Sequence, residues 1–422
     1  MPSESVLVHR VIAGFGLLCM IFFAWLMSSH RRRFPWRVVL GGLFLQLILV
    51  GLILGTAPGR ALFESLGDGF EKLLSFVDEG CKLVFSDNFQ DHYFAFRVLP
   101  TIIFFSAFMA VLYHLGVMQF IVKMLAKVLQ HSLGTSGAES LSAAANIFVG
   151  QTEAPFVIRP YIAKLTKSEL MAIMTGGFAT VAGGVMALYI GWGIDAGHLM
   201  TASVISAPAG LLIAKVMMPE TEQPATAGGK TAEIPVETSN LIEAATHGAS
   251  EGLKLALNVA AMLIAFMGLI ALLDFLISSS SLWIMQSVLG MNVKEGLTLA
   301  TICGYVFAPL AWLMGIEWQD CVPAGELLGY KMFANELIAY DRMKDMIAVG
   351  DTPGVISDRT TVIMTYALSG FASFASIGIQ VGGIGGLCPE RRTDLAKIGF
   401  RAMLGGTLAC CMTACVAGIV IG

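Results

Sequence analysis

The stretch NIFVGQTEAPF, Asn146 to Phe156, sets two amides, a hydroxyl and a carboxylate (Asn146, Gln151, Thr152, Glu153) into an apolar run. Polar groups with no water around them are costly unless neighbouring protein satisfies them, so such a stretch does not read as a plain membrane span. Pro155 follows at once, and a proline ends or starts helix rather than sitting inside it. The pattern predicts a re-entrant helical hairpin over 137–158 with these polar side chains at its tip. A second segment, 317–340, contains WQDCVPAGELLGYKMFANELIAY and has the same character, too polar and too interrupted to cross.

Each hairpin is followed by a related motif. GGFATVAGGVMALY runs from 176 to 189 and SGFASFASIGIQVGG from 369 to 383, both with Gly-Phe-Ala-Thr/Ser and then small residues inside an apolar run. Small residues alone permit close helix packing. Two matched clusters, each behind a polar hairpin, point instead to helices broken at membrane depth around a shared polar interior, the pattern of secondary transporters built from repeats.

The rest of the chain fits a polytopic all-α membrane protein: 56% of the 422 residues are hydrophobic and only 13% charged. Runs of about 20 apolar residues, the length needed to span, fall near 8–29, 37–57, 98–119, 169–193, 197–217, 252–280, 359–386 and 395–421. The first run is stopped by His30-Arg31-Arg32-Arg33 and lacks a cleavage pattern, so it reads as a retained helix. Lys and Arg cluster in HRRRFPWR, RPYIAKLTK and PERRTDLAK. Taken as cytoplasmic, these loops put both termini outside and the polar connection 218–245 inside, and the two hairpins then enter from opposite sides. Segments 61–85 and 118–131 alternate apolar and charged residues at helical spacing and predict amphipathic helices at the interface or packed on the bundle. A net charge of -4 without a basic stripe excludes the footprint of a nucleic-acid binder. Cys19, Cys303, Cys410, Cys411 and Cys415 lie in apolar segments without zinc spacing and read as core residues. The seven histidines are scattered, and none pairs with a Ser or Cys in a motif, so no enzyme constellation emerges.

Glu153 and Glu336 stand one in each hairpin, backed by Thr180, Ser373 and Ser376. Lys331 is the only base in either hairpin and is expected near a solvent-facing end. Two carboxylates suit a neutral, hydroxyl-rich solute with an amide edge better than an anion. Phe371 offers a flat face for a ring, or simply fills the core. Asn146 with Thr180 and exposed carbonyls suits a hard monovalent cation, although Asn146 as a helix cap explains its position equally.

These residues closely resemble a known family. SAAANIFVGQTEAPFVIRPY, MTGGFATVAGGVMA, ANELIAY and GFASFASIGIQVGGIGGLCPERR are similar to the concentrative nucleoside transporters, here of a bacterial, sodium-coupled kind, and the likeness runs from FRVLPTIIFFSA to the C-terminus. The resemblance implies eight transmembrane helices plus two opposed re-entrant hairpins forming an inverted repeat, in a homotrimer with scaffold and transport domains and elevator-type alternating access. It implies a multi-pass inner-membrane symporter importing a nucleoside such as uridine with sodium and without an organic cofactor. Another small polar solute, or protons in place of sodium, are the alternatives. In domain terms it implies scaffold helices over 1–117, a first transport repeat over 118–217, the cytoplasmic loop 218–245, a scaffold span over 246–282 and a second repeat over 283–422. Gln151, Thr152 and Glu153 would serve the base with Val185 beside them. Glu336, Ser373 and Ser376 would serve the ribose, and Phe371 and Leu255 would pack on the base. Sodium would be held by the side chains of Asn146 and Thr180 and the carbonyls of Val149 and Val181. Where the family commonly has Asn after Gly-Phe-Ala, this chain has Ser373, which places the ribose contact in question.

Overall fold

The computed structural model describes residues 4–87, 89, 94–228, 238–288, 296–347 and 354–421. The middle of the expected loop 218–245, the stretch 289–295 at the start of the expected second repeat, and His92 lie outside them. Among the described residues there is no strand, and seven helices are long and apolar enough to cross a membrane.

Helices α1 (Glu4–Leu26) and α2 (Trp36–Ile53) occupy the first two expected spans. The single helix expected over 61–85 is two. α3 (Ala57–Ser75) begins earlier because the Thr56 side chain accepts from Gly59 N, and α4 (Val77–Phe85) follows a step at Phe76. α5 (Leu99–His114) carries the third span and α6 (Val117–Leu133) the amphipathic segment.

The first hairpin pairs α7 (Gly137–Ala145) with a 3-10 segment, Ala154–Lys164, that extends past the expected end at 158. α8 (Lys167–Ala179) and α9 (Gly183–Gly191) are separated by a non-helical break at 180–182, and α10 (Ala196–Met217) follows. The sixth span is far longer than 252–280: α11 runs from Leu241 to Trp283, started by Asn240 accepting from Glu243 N at 2.9 Å.

The second unit consists of α12 (Leu299–Leu313), α13 (Cys321–Phe333), α14 (Glu336–Met346), α15 (Asp358–Leu368), α16 (Phe374–Leu387) and α17 (Arg392–Val420). Its order repeats that of the first: a leading helix, two hairpin arms, a helix pair with a break between, and a long closing helix. α12 is the counterpart of α6 and went unseen in the sequence. Its run is too short for a span, and it lacks the charged face that reveals α6.

Both hairpins are tied at their base in the same way. In the first, Ser136 Oγ before α7 donates to Glu169 of α8 at 2.6 Å, and Glu169 also accepts from Thr166 N at 2.9 Å. In the second, Asp320 before α13 accepts from Ser357 N, Ser357 Oγ and Thr360 Oγ1 at 3.0, 2.8 and 2.7 Å at the start of α15. A carboxylate at these N-termini satisfies free N–H groups and opposes the helix dipole. A buried ion pair, Glu139 to Lys215 at 2.7 Å, further fixes α7 to α10.

The two interrupted pairs cross at their breaks. A side chain on Gly370 would sit 2.6 Å from both the Phe178 carbonyl oxygen and the Cys410 sulfur, so only glycine permits the approach. Cys410 of α17 is directed at one carbonyl from each unit, Ala179 at 3.7 Å and Ser369 at 3.4 Å. Around this crossing α8 and α9 are buried except at their outer ends, Lys167 and Gly191, whereas α11 is buried along only a small part of its length. α11 lies against α5, with Gly248 and Gly252 leaving no room for a side chain between the helices. α1 packs along α17 and α2 along α10.

Candidate functional site

Asn146 ends α7 and is 1% exposed, yet its Oδ1 has no hydrogen-bond partner. Its amide nitrogen lies 3.6 Å from the Cβ position of Gly176, and the Thr180 hydroxyl donates to the Gly176 carbonyl at 3.0 Å, so the two side chains meet over one residue. Gly183 N donates to the Phe148 carbonyl at 3.1 Å, which binds the hairpin tip to the break. Among the described residues, no donor is directed at the carbonyls of Val149 or Val181. The hydroxyl of Thr180 keeps its lone pairs. The Asn146 amide and the Thr180 hydroxyl thus lie on either side of Gly176, and the carbonyls of Val149 and Val181 belong to the non-helical tip and break that Gly183 ties together. Oxygen donors of this kind suit a hard cation. No group of three or more His, Cys, Asp or Glu gathers as a transition metal would require among the described residues.

Beyond the break the tip divides. Gln151 is buried, and its Oε1 accepts from Gln380 Nε2 of α16 at 2.9 Å; the same nitrogen donates to the Met174 carbonyl at 3.1 Å. Thr152 is half-buried with its methyl group against Gly383 of α16, and Glu153 is accessible. The second hairpin turns at Ala334 and Asn335, where the Asn335 side chain caps α14 by accepting from Ile338 N at 2.9 Å. That cap sets Glu336 at the first position of α14. Glu336 is 5% exposed, its Oε1 accepts from Tyr189 Oη at 3.3 Å, and its Oε2 is buried without a partner. Tyr189 stacks on Tyr340 with ring centres 4.1 Å apart, and Tyr340 donates to the Thr365 carbonyl at 2.7 Å. Val185 lies one turn before Tyr189 on the same face of α9 and is buried. Ser373 caps α16, with its hydroxyl 3.0 Å from that of Ser376, and both are buried. Phe371 in the break and Leu255 on α11 are each half-buried.

The units are therefore interlocked. α9 of the first presents Tyr189 to Glu336 of the second, and α16 of the second presents Gln380 to Gln151 of the first. Several buried polar atoms lack a partner here, among them Asn146 Oδ1 and Ser142 Oγ on the first hairpin, Glu336 Oε2 on the second, Gln380 Oε1 on α16 and Ser369 Oγ at the end of α15. A buried polar atom with no partner is uncommon and costly, and it is naturally explained by a ligand the site is shaped to receive.

The expectation for Lys331 is corrected. It is 2% exposed and donates to the Ala367 carbonyl at 2.7 Å, because the last turn of α13 faces the end of α15. Sequence reasoning also missed Gln380 and Tyr189. A lone amide in IGIQVGG was the available signal for the first; the second closes GGVMALY as an unremarked aromatic.

Paired hairpins and interrupted helices that exchange polar contacts define a secondary transporter assembled from two repeats. The chain belongs to the sodium-dependent, or concentrative, nucleoside transporter family, and it is a multi-pass membrane protein. The profile described as "Na+ dependent nucleoside transporter C-terminus" matches residues 198–418, its N-terminal companion 15–88, and one described as "Nucleoside recognition" 95–194. Solute carrier family 28 member 3 of Eptatretus stoutii is 42% identical over 97% of this chain, and the chain spans 60% of that relative's length. An uncharacterized transporter of Haemophilus influenzae is 43% identical, with 96% of this chain and 97% of that protein covered. Among solved structures, CNTnw in an inward-facing substrate-bound state is 39% identical with a TM-score of 0.89, over 98% of both chains.

Proposed function

We propose that this protein is a transporter, not an enzyme, importing nucleosides across the cytoplasmic membrane and driven by sodium. The observation that carries the reading is that each hairpin holds a buried acceptor without a protein partner, an uncharged amide oxygen at Asn146 on the first and a carboxylate oxygen at Glu336 on the second. Sodium, as cargo, suits the cage of Asn146, Thr180 and the carbonyls of Val149 and Val181. Vicinal ribose hydroxyls suit Glu336, whose free oxygen accepts what Tyr189 does not supply, with Ser373 and Ser376 alongside. Gln151, Thr152 and Glu153 read the base, with Val185, Phe371 and Leu255 as its apolar surround. Ser373, shorter than an Asn at this place, hydrogen-bonds Ser376 instead of reaching into the site, so water completes the ribose contact. Family membership favours this reading over a carrier for another solute or a proton-driven one.

The same reading includes eight spanning helices with two opposed hairpins, both termini outside, a homotrimer, and elevator-type movement. α5 and α11 form the standing frame and the two repeats the moving body. α1 and α2, expected within the scaffold portion 1–117, pack on α17 and α10 and are assigned here to the moving body. α11, apolar and largely uncovered, is the natural contact for lipid or another copy.

Uridine uptake into proteoliposomes, with and without an inward sodium gradient, tests the function directly. Sodium-stimulated accumulation is expected from the native chain and its loss from Glu336→Ala. Accumulation indifferent to sodium would overturn the coupling, and full uptake by Glu336→Ala would overturn the ribose role.

A further inference from the structure

The cation cage of the first unit lies where the end of a hairpin arm, Asn146, meets a helix break, and it contains no protein cation. The corresponding junction of the second unit is the last turn of α13 against the last turn of α15. There the chain places Lys331, whose Nζ donates to the Ala367 carbonyl at 2.7 Å while the residue is 2% exposed. The carbonyls at a helix C-terminus lack intrahelical donors and carry the negative end of the dipole, so this junction attracts a cation as the first does. The bonded partner is a carbonyl and not a carboxylate. Burying an ammonium is costly unless the site compensates its charge, so packing alone does not account for it.

We propose that Lys331 is a resident cation occupying, in the second unit, the position that the transported ion occupies in the first. It completes the charge of the substrate-loaded body without consuming a second ion. Lys331 is thus a positioning residue that sets the ion-to-nucleoside ratio, an inference that rests on the proposed sodium-coupled function.

The test compares the full-length native chain with Lys331→Ala, Lys331→Met and Lys331→Arg. Two quantities are read: the ratio of radiolabelled sodium to uridine taken up by proteoliposomes, and the slope of Tm against log sodium in detergent without nucleoside. Lys331→Ala opens the junction and is expected to raise the ratio by about one ion and to add about one ion to the linkage slope. Lys331→Met fills the space without charge and adds no ion; Lys331→Arg leaves both quantities native. If Lys331→Ala is unstable, sodium is expected to restore its stability where choline does not. Native ratio and slope in Lys331→Ala, or instability that sodium and choline relieve equally, would overturn the proposal. The increment is measured against the native chain, so a native chain without sodium-driven uptake would refute the transport reading while leaving the slope comparison decisive for Lys331.

Discussion

Replacing Gln380 by Leu keeps its size and removes both hydrogen bonds of its amide nitrogen, to Gln151 Oε1 at 2.9 Å and to the Met174 carbonyl at 3.1 Å. Met174 lies within α8, where its carbonyl has an intrahelical donor as well, so the larger loss falls on Gln151. A buried acceptor left without a partner costs roughly 1–3 kcal/mol, and removing Gln380 Oε1, itself buried without a partner, offsets part of it, so Tm falls by the remainder. A separate effect falls on binding. Gln151 is no longer held and must be ordered by the nucleoside, at roughly 0.5–1.5 kcal/mol for one such side chain. With about 1.4 kcal/mol per factor of ten, the uridine Kd should weaken about two- to tenfold. The proposed sodium site does not include Gln380, so half-saturation for sodium should remain native at saturating uridine. Thermal unfolding in detergent and uridine binding by calorimetry measure the two effects. An unchanged Tm with an unchanged Kd would show that the bond between the units does not hold Gln151, and the reasoning would fall.

Four further outcomes are expected. Asn146→Leu discards an oxygen that bonds nothing in the protein, so Tm without sodium should hold while the sodium concentration for half-maximal uptake rises at least about tenfold; an unaltered sodium titration would remove Asn146 from the cage. Tyr189→Phe deletes the 3.3 Å bond to Glu336 and should weaken uridine binding by about 1.5 kcal/mol or more, read by calorimetry, with little change for a ribose-lacking analogue. Gly370→Ala places a methyl group 2.6 Å from the Phe178 carbonyl oxygen, and overpacking of about 1–3 kcal/mol at the crossing should lower Tm and uptake together. Asp320→Ala strips the shared acceptor from Ser357 and Thr360 and should cost about 2–4 kcal/mol in denaturant titration, while surviving protein keeps native uridine affinity.

Asn146, Glu336 and the Gly-Phe-Ala motifs stand out in the sequence, because the cost of a polar or irregular stretch in an apolar run is local and shows in the letters themselves. The capping boxes of Ser136 with Glu139 and Thr166 with Glu169, which start α7 and α8, are local patterns of the same kind that the sequence reading passed over. What could not be read is pairing across distance. Gln380 lies 229 positions from Gln151, and nothing in IGIQVGG says which acceptor its amide meets. α12 shows the complementary blindness, since fifteen uniformly apolar residues carry no face and only the order of the second unit reveals its kinship with α6. Lys331 was misjudged for a more instructive reason. A lone lysine near the end of a hairpin arm is ordinarily paid for by solvent, and only the carbonyl end of α15, brought over it by the fold, makes burial the better solution. A charge is thus read correctly only once its compensating dipole is known. In a repeat protein the place to look for that dipole is the position matching the cation site proposed for the other unit.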